Sequence, residues 1–478
     1  MTTLLLRADG GATIGVGHLS RCLAFAEAAV GCGWRTLFAG DLGGATWLAD
    51  RFTELGVPLL APAAFAEVDA DVVLVDHYGL GELPEVRERA RLVSLEDGHW
   101  GRREADVVVD PSLALSARRP DGSPVLLAGP RFAPVRADVR AARRSGFAAG
   151  DPPKVVVVMG GGAAAPTVAA ALTALRDTGV PLSARAVAAG PVPLPEPAPG
   201  QRFAVHPPTP DLPALFAEAD LVVSAAGVTL TELCCIGVPA ALVQLVDNQA
   251  AGYTAALDQG LAAGLGTPAD LPAAPEVLRH LLLEPARRRE LAEAASAAVD
   301  GAGAARVLDA AELTVREATE GDTETLLSWR NDPLTLAWSR GRQPVARSVH
   351  ESWLRVSLAN PDRLLLVVEQ SGIPVGTVRF DRDQDAIWEV SITVAPDHRG
   401  RGLAGRVLTM GEGALHARAE PDAVLANVHE DNEASLALFR GAGYRSAERP
   451  ADGPFTWLTK PTPRRVVHSF GGCPQPTC

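Results

Sequence analysis

Short apolar runs alternate with longer, alanine-rich amphipathic segments over about the first 270 residues. The runs are rich in Val, Leu and Ala and are bounded by turn-forming residues, a pattern typical of parallel strands that are covered on both faces. The predicted strands are Leu4–Ala8, Arg35–Ala39, Val72–Asp76, Leu92–Leu95, Val107–Asp110, Lys154–Met159, Ala184–Ala188, Leu221–Ser224 and Ala240–Leu245. The alternation predicts two successive Rossmann-like α/β halves, joined at the Gly-Asp-Pro-Pro sequence of residues 150–153.

The pattern restarts after a helical stretch that is rich in Ala and Arg, from Pro285 to Glu312. Leu313–Arg316 then predicts a strand, and Thr319 followed by Asp322 predicts the capped start of a helix. Residues 463–478 are predicted to form a flexible tail. The predicted organisation is α/β, with Rossmann-like domains at 1–150 and 151–312, a third α+β domain at 313–462, and the tail at 463–478.

Composition supports a globular protein of several domains. The chain has 478 residues, of which 47% are hydrophobic and 21% are charged. Its net charge of −13 argues against a dedicated nucleic-acid surface, and its apolar runs are too short to cross a membrane. The six cysteines lack zinc-site spacing. The sequence therefore predicts a cytoplasmic protein with no metal, no nucleic-acid partner and no membrane partner.

A glycine-rich turn follows the first predicted strand and contains Gly15, Gly17 and His18. Glycines let the backbone approach a ligand, and the free N–H groups at a helix start favour an anion. The positive end of the helix dipole disfavours imidazolium. His18 is therefore predicted to be neutral and to act as a general base. The alternative is an ordinary first turn of a Rossmann fold with a histidine at its helix cap.

Three further strand ends carry polar or glycine-rich segments, at residues 75–79, 159–162 and 224–232, and residues 246–249 add amides at a fourth. Parallel α/β sheets bind ligands at the carboxyl ends of their strands, so these segments predict a cleft for a nucleoside diphosphate. The candidate contacts are Asp76, Tyr78, Gly161, Ser224, Gly227, Glu232, Asn248 and Gln249. Each of them alone has a structural alternative, such as a helix cap.

Four segments carry a family resemblance: RADGGATIGVGHLSRCLAFAEA, LVDHYGL, LLAGPRFAPVR and ADLVVSAAGVTLTELCCIGVPAALVQLVDNQ. Together they resemble the nucleotide-sugar hydrolases of pseudaminic acid biosynthesis and the related spore-coat polysaccharide, glycosyltransferase-like proteins, over about residues 3–300. The resemblance implies a GT-B-like arrangement of the two halves. It further implies that UDP is hydrolysed from a UDP-diacetamido-trideoxyhexose by water, with inversion and with His18 as the base.

The same resemblance implies roles for the other residues. Gly161, Ser224, Gly227, Glu232 and Asn248 would contact UDP, while Asp76 and Tyr78 would line the sugar side. The sequence departs from the family pattern at residues 95–100, Leu-Glu-Asp-Gly-His-Trp, and at residues 159–163, Met-Gly-Gly-Gly-Ala. Because of these two departures, the resemblance does not specify which sugar is bound. A UDP-sugar-dependent glycosyltransferase, with an acceptor other than water, remains the alternative.

A second constellation lies in the third domain. The alternating strand Ile387–Val394 leads into Arg-Gly-Arg-Gly-Leu-Ala at residues 399–404 and then into a helix, which predicts a cradle of N–H groups for a pyrophosphate. The predicted acetyl-CoA contacts are Val394, Arg399, Arg401, Gly402, Ala404, Asn432 and Ser435. This arrangement, followed by Phe439 and Tyr444, resembles the GNAT acetyltransferases over about residues 313–460.

The Trp329-Arg330-Asn331-Asp332-Pro333 sequence, with His350 and Trp353 after it, resembles the N-acetyltransferases that act on UDP-aminosugars in the same pathway. Ribosomal-protein acetyltransferases share this start. Trp329 and Asn331 are the predicted substrate contacts, with core packing or helix capping as their alternative. Glu389 is the predicted base, acting through water, although a strand glutamate can also be purely structural. Phe439 stands where the family often has a tyrosine acid, and Tyr444 is a less secure substitute.

The leading hypothesis is a bifunctional enzyme that N-acetylates a UDP-aminosugar from acetyl-CoA and hydrolyses the UDP bond, in nonulosonic acid biosynthesis. The alternatives are the glycosyltransferase fused to an acetyltransferase, a nucleotide-sugar sensor with vestigial sites, and an acetyltransferase for a protein N-terminus or an aminoacyl-tRNA. The acidic net charge disfavours the RNA substrate.

Overall fold

The computed structural model describes residues 2–11, 16–96, 102–114, 121–160, 165–370, 372–384, 386–450 and 453–462. The described residues before Glu312 form one compact unit, and those from Glu312 onward form a second. The predicted tail at 463–478 lies outside the described residues. Of the helices in the described ranges, none is both long and apolar enough to cross a lipid bilayer.

The first sheet of the amino-terminal unit is parallel, with the order β3-β2-β1-β4-β5-β6-β7. Its strands are β1 (Thr3–Ala8), β2 (Arg35–Ala39), β3 (Leu59–Leu60), β4 (Val72–Asp76), β5 (Arg91–Leu95), β6 (Val107–Asp110) and β7 (Leu126–Ala128). The helices over this part of the chain are α1 (Gly17–Gly31), α2 (Thr46–Glu54), α3 (Pro84–Arg87) and α4 (Ala137–Ala141). The last of these packs through Val139 into a core of the second sheet. Leu4, Leu5 and Leu6 are all fully buried, because β1 is covered on both faces.

The second sheet is also parallel, with the order β10-β9-β8-β11-β12-β13. Its strands are β8 (Lys154–Val158), β9 (Leu182–Val187), β10 (Gln201–His206), β11 (Leu221–Ala225), β12 (Ala240–Val243) and β13 (Ala263–Gly264). The helices are α5 (Ala165–Asp177), α6 (Leu212–Glu218), α7 (Val228–Ile236), α8 (Ala250–Asp258), α9 (Pro275–Leu283), α10 (Pro285–Ala298) and α11 (Gly303–Glu312). Val155 and Val157 pack into the core on one face, and Val156 and Val158 into that on the other.

In both sheets, the order in which the chain adds strands changes direction once. The chain runs outward from β1 to β3 and returns with β4 on the other side of β1; it repeats this from β8 to β10 and β11. Successive crossover connections then leave opposite faces of the sheet and open a crevice at the carboxyl ends of the two central strands. The fold therefore provides two crevices, one between the neighbouring strands β1 and β4 and one between β8 and β11.

The parallel sheets predicted from the apolar runs are confirmed. The sequence pattern missed β7 and β10, as well as the two-residue strands β3 and β13. β10 is an edge strand whose side chains are mostly half-buried or exposed, so its sequence has no continuous apolar run. β7 is only three residues long, which is too short to stand out from a loop.

The second unit contains a mixed sheet with the order β14-β15-β16-β17-β18-β20-β19. Its strands are β14 (Leu313–Glu317), β15 (Arg363–Gln370), β16 (Ile373–Gln384), β17 (Ile387–Val394), β18 (Ala423–His429), β19 (Arg445–Ser446) and β20 (Phe455–Pro461). Its helices are α12 (Thr323–Arg330), α13 (Pro333–Ala337), α14 (Arg347–Ala359), α15 (Leu403–Arg418) and α16 (Glu433–Gly441). The predicted cap is confirmed, because Thr319 and Asp322 bond reciprocally at the turn that precedes α12.

Gly303, the first residue of α11, allows a close backbone approach. A Cβ at this position would lie 2.2 Å from the carbonyl oxygen of Ala133. Because backbone must shift to relieve that overlap, Gly303→Ala should destabilise the amino-terminal unit by about 1–3 kcal/mol. The measurement is the urea midpoint of the full chain. Gly31→Ala is the control, since a Cβ at Gly31 meets nothing within 4 Å, and equal midpoints for the two variants would contradict the packing described here.

Candidate active sites

The crevice between β1 and β4 brings His18 and Asp76 together. Asp76 is the last residue of β4 and pairs with Ala8 at the end of β1. His18 lies in the first turn of α1, the helix that follows β1. The two residues are 58 positions apart in the sequence, and the strand order makes them neighbours.

The Asp76 carboxylate is fully buried and accepts hydrogen bonds from two side chains of α1. His18 Nδ1 lies 2.6 Å from Oδ1, while Arg21 donates through Nε at 2.8 Å and through Nη2 at 2.9 Å. Burial raises the pKa of Asp76, but the Arg21 charge and the His18 hydrogen bond hold it below its ordinary value. Asp76 is therefore an ionised acceptor at neutral pH.

This pairing selects one tautomer of His18. Since the carboxylate can only accept, the proton between the two groups belongs to His18 Nδ1, which leaves the Nε2 lone pair free to take a proton. Arg21 Nη2 also lies 3.0 Å from Nδ1. Two donors cannot bond each other, so we interpret this contact as both groups sharing Asp76 Oδ1. A carboxylate that orients a histidine in this way is typical of a general-base site.

Tyr78 and His77 extend the site along the loop after β4. The Tyr78 ring packs edge-on against His18, with centroids 4.4 Å apart, and Arg102 lies 4.4 Å above the Tyr78 ring. His77 Nδ1 accepts from the Gly79 N–H at 2.9 Å, so its Nε2 donates to Asp9, also at 2.9 Å. This bond ties the loop after β4 to the residue that follows β1.

Arg21, His77 and Asp9 were not predicted as site residues. Arg21 carries a usable signal, because it lies three residues after His18 and three-residue spacing places both on one helix face. The roles of His77 and Asp9 depend on strand order, which the sequence pattern does not supply.

Several of the predicted UDP contacts follow β11 and β12, near the second crevice. Ser224 is buried near the end of β11, and Gly227 is the N-cap of α7 with no side-chain cap of its own. A Cβ on Gly227 would lie 3.6 Å from the Gln249 side chain, and Gln249 accepts from the Leu245 N–H at 2.9 Å. Asn248 is exposed on the same turn. The first N–H groups of α7 are thus available to an anion.

The two crevices approach each other within the amino-terminal unit. A Cβ on Gly17 would lie 3.0 Å from Val228 Cγ2, so the starts of α1 and α7 are in contact. Glu232, one turn into α7, pairs with Arg136 at 3.2 Å. Burial raises the pKa of Glu232 although Arg136 opposes this. Gly15 and Gly161 lie outside the described residues.

No group of three or more metal-ligating side chains occurs among the residues that the structure describes.

In the second unit, the central sheet opens where β17 and β18 separate. The two parallel strands pair only from Ile387 to Val390. Beyond that point, residues 391–394 and 427–429 line a pocket of about 720 Å³. The pocket is also lined by several of the residues predicted from sequence: Trp329, Glu389, Val394, Arg399, Ala404, Asn432 and Ser435.

Glu389 projects from β17 into this pocket and is partly buried. Burial raises the pKa of Glu389, and Arg340 only partly offsets it. A carboxylate whose pKa is raised towards neutrality is a stronger base for an ammonium group. The geometry therefore fits proton abstraction from an amine.

The turn before α15 has the conformation that a pyrophosphate cradle requires. Gly400 and Gly402 adopt φ values of 74° and 73°, a region that residues with a side chain rarely enter. Gly402 is the N-cap of α15 without a side-chain cap, and Arg401 and Gly402 are exposed. Alternating left-handed residues turn successive N–H groups towards one point.

Asn331 and Tyr444 have partners within the protein. Asn331 donates to the Val345 carbonyl at 2.9 Å and accepts from the Val345 N–H at 2.7 Å. Both halves of its amide are therefore used to hold the loop before α14, and a substrate contact remains a prediction. The Tyr444 hydroxyl is buried and donates to Glu412 at 2.8 Å. It is not among the described residues that line the pocket, whereas Phe439 is.

Two pocket-lining groups were not assigned a role from sequence. His350 is 4% exposed, and its Nε2 has no hydrogen-bonding partner among the described residues. Burial and the nearby Arg330 charge lower the pKa of His350, so its ring is neutral at pH 7. Arg330 donates through Nη2 to the Gly341 carbonyl at 2.7 Å.

Comparison with known proteins identifies the second unit. The model of the acetyltransferase (GNAT) domain family matches residues 312–445. This region is a GNAT acetyltransferase domain. Acetyl-CoA is the acetyl donor of such a domain, and the pocket and glycine turn described above fit it. The match leaves out the amino-terminal unit.

Several solved acetyltransferase structures are also similar to about a third of this chain. YncA from Salmonella typhimurium, solved with its cofactor acetyl-CoA, is 20% identical, covering 33% of this chain and 96% of that one, with a TM-score of 0.27. Spermidine N-acetyltransferase from Vibrio cholerae, in complex with CoA and spermine, is 16% identical. The match covers 31% of this chain and 95% of that one, with a TM-score of 0.28. Ribosomal-protein-alanine N-acetyltransferase from Brucella melitensis is 25% identical. The match covers 31% of this chain and 99% of that one, with a TM-score of 0.27.

The buried Asp76 carboxylate should stabilise the amino-terminal unit. Asp76→Asn removes the charge that compensates Arg21, so we expect a loss of about 3–5 kcal/mol at pH 7. Because the folded-state pKa is below the unfolded one, this difference is present above the unfolded pKa and shrinks as the pH falls through the folded pKa. Urea unfolding of both proteins at several pH values measures it.

The control for Asp76 is Glu54→Gln, which removes an exposed partner of Arg51. It should change stability by less than about 1 kcal/mol. Similar small losses for both variants would contradict the assignment of Asp76 as a buried, paired charge.

Proposed function

We propose that the chain is a bifunctional nucleotide-sugar enzyme. Its GNAT domain transfers the acetyl group of acetyl-CoA to the amine of a UDP-aminosugar. Its amino-terminal unit, with the two sheets in a GT-B-like arrangement, hydrolyses UDP from the resulting UDP-diacetamido-trideoxyhexose. The two reactions would belong to nonulosonic acid biosynthesis of the pseudaminic type.

The observation that carries the hydrolase is the orientation of His18. Asp76 occupies its Nδ1, so Nε2 is the only ring nitrogen that can accept a proton. In the proposed reaction, Nε2 takes a proton from water while the water oxygen bonds to the anomeric carbon. The bond from that carbon to the phosphate oxygen breaks, and its electron pair leaves with UDP. Attack opposite to the leaving group inverts the anomeric carbon.

The start of α7 supports the choice of UDP as the leaving group. Negative charge develops on the diphosphate as the bond breaks, and helix N–H groups stabilise such charge. The contact between Gly17 and Val228 places these N–H groups beside the helix that carries His18. Ser224 lies near the end of β11, shortly before this helix start, and Gln249 lies beside Gly227. Asn248 is the neighbour of Gln249 on the turn after β12, and Glu232 lies one turn further along α7.

In the acetyltransferase reaction, Glu389 accepts the proton that the ammonium group must lose, directly or through water. The neutral amine then bonds to the thioester carbon, and the carbon–sulfur bond breaks with its electron pair on the CoA sulfur. The nitrogen gives its second proton to water as the amide forms, and the CoA thiolate takes a proton from water. Phe439 cannot provide this proton, and the Tyr444 hydroxyl donates to Glu412. The mechanism therefore assigns no protein group to thiolate protonation.

The hydrolase is tested by ³¹P NMR of the full chain with a UDP-diacetamido-trideoxyhexose and no sugar acceptor. The wild type should release UDP, and His18→Ala should be slower by about 10²–10⁴-fold, the usual contribution of a general base. His280→Ala, at an exposed position of α9, should retain full activity.

Release of UDP that requires an added sugar acceptor would instead support the glycosyltransferase alternative. Equal rates for the wild type and His18→Ala would show that His18 is not the base.

The acetyltransferase is tested by the pH dependence of CoA release with a UDP-4-amino sugar. Glu389 must be ionised to accept a proton, and its pKa is raised, so activity should fall as the pH drops through a value above the ordinary glutamate range. Glu389→Gln should lose about a hundredfold in kcat/KM and should lose this acidic limb. Glu317→Gln, on an exposed strand position, is the control. An unchanged acidic limb in Glu389→Gln would assign the base to another group.

A further inference from the structure

The Arg399 side chain, which the sequence suggests as an acetyl-CoA ligand, is already held by the protein. Its Nη1 donates to Asp332 Oδ2 at 2.6 Å, and its Nη2 donates to Thr335 Oγ1 at 2.8 Å. Its Nε lies 3.3 Å from the Val394 carbonyl oxygen. All three nitrogens of the guanidinium therefore have a protein acceptor, and the planar group is fixed as a fork.

Asp332 is held in this contact by hydrogen bonds of its own. It is the N-cap of α13, where it accepts from the Thr335 N–H at 3.0 Å and from the Thr335 hydroxyl at 3.2 Å. Its side chain is only 17% exposed, and that of Arg399 is 26% exposed. Burial raises the pKa of Asp332, but the bonds from Arg399 and Thr335 outweigh it and lower the pKa. The pair is thus charged and partly shielded from solvent.

The two partners belong to different elements of the fold. Val394 ends β17 at the point where that strand has separated from β18, and Arg399 begins the glycine turn before α15. Asp332 is the N-cap of α13, whose Leu334 and Thr335 also line the pocket. The pair is therefore a direct link between the cofactor turn and α13.

We propose that Arg399 is a positioning residue that, paired with Asp332, fixes the glycine turn at residues 400–402, so that backbone N–H groups of this turn rather than the Arg399 side chain bind the acetyl-CoA pyrophosphate. The inference rests on the acetyl-CoA site of the GNAT domain and is independent of the sugar substrate. It assigns Asp332, a residue of the Trp-Arg-Asn-Asp sequence, to cofactor binding through Arg399.

The alternative role of Arg399 gives predictions of opposite sign. If its guanidinium bound phosphate directly, Asp332→Asn would release a cation towards the ligand, and CoA binding would be unchanged or tighter. If the pair positions the turn, Asp332→Asn weakens CoA binding. Arg399→Lys keeps the charge but loses the fork, so a phosphate ligand would be largely preserved and a positioning link would be lost.

The experiment is isothermal titration of CoA into the full chain, for the wild type, Asp332→Asn, Arg399→Lys, Arg399→Gln and the Asp332→Asn/Arg399→Gln double variant. We expect each single variant to weaken CoA binding by about three- to tenfold and the double variant to be no weaker than Arg399→Gln, because contacting partners are not additive. Thr335→Val, a smaller change, should weaken binding in the same direction.

Two further measurements separate positioning from loss of the fold. The thermal midpoint of each variant shows whether the domain remains folded, and the KM for acetyl-CoA should rise while kcat stays within about twofold, since Arg399 touches no reacting atom. Arg382→Gln removes the exposed pair with Asp362 on the same sheet and should leave CoA affinity unchanged. Normal or tighter CoA binding by folded Asp332→Asn, or additive losses in the double variant, would overturn the proposal.

Discussion

The proposed base of the amino-terminal unit depends on a buried charge. The Asp76 carboxylate is fully buried at the end of a central strand, so the protein must compensate its charge. Arg21 supplies the charge and His18 supplies a further hydrogen bond, both from the first two turns of α1. The same requirement that keeps the unit stable therefore fixes the tautomer and orientation of the proposed base. Stability and chemistry depend on the same three side chains at this position.

The pocket of the GNAT domain depends on side-chain contacts between neighbouring segments. The parallel strands β17 and β18 separate after Val390, and the pocket opens beyond that point. Asn331 holds Val345 in the loop before α14, and Asp332 pairs with Arg399 beside the glycine turn. The Trp-Arg-Asn-Asp sequence, which resembles a substrate-binding motif, thus supplies contacts that fix segments around the pocket.

The sequence was sufficient to predict the strands with continuous apolar runs, the restart at Leu313 and the glycine turn before α15. It also located Asp76 at a strand end and His18 at the start of a helix that follows a strand, because the carboxyl ends of parallel strands collect ligand-binding residues. What it could not supply is strand order, and with it the pairing of His18 with Asp76. Edge strand β10 was missed because its polar residues hide the strand pattern.

Pairs of residues that are far apart in the sequence were the other limit on what could be predicted. Arg399 and Asp332 are 67 positions apart, and a turn motif by itself assigns the arginine to the ligand. Tyr444 likewise resembles a replacement acid until its bond to Glu412 is seen. In each case the local motif suggests a role for the residue, but its bonding partner comes from another element of the fold, which the motif does not contain.

The most direct measurement is a proton and phosphorus NMR time course of the full chain with a UDP-4-amino sugar and acetyl-CoA. The wild type should form the N-acetylated UDP-sugar first and then free N-acetylated sugar and UDP. His18→Ala should accumulate the N-acetylated UDP-sugar, and Glu389→Gln should leave the amine largely unreacted. Failure of the wild type to release UDP from the acetylated product, or release that is equal in His18→Ala, would contradict the assignment of two consecutive activities to this chain.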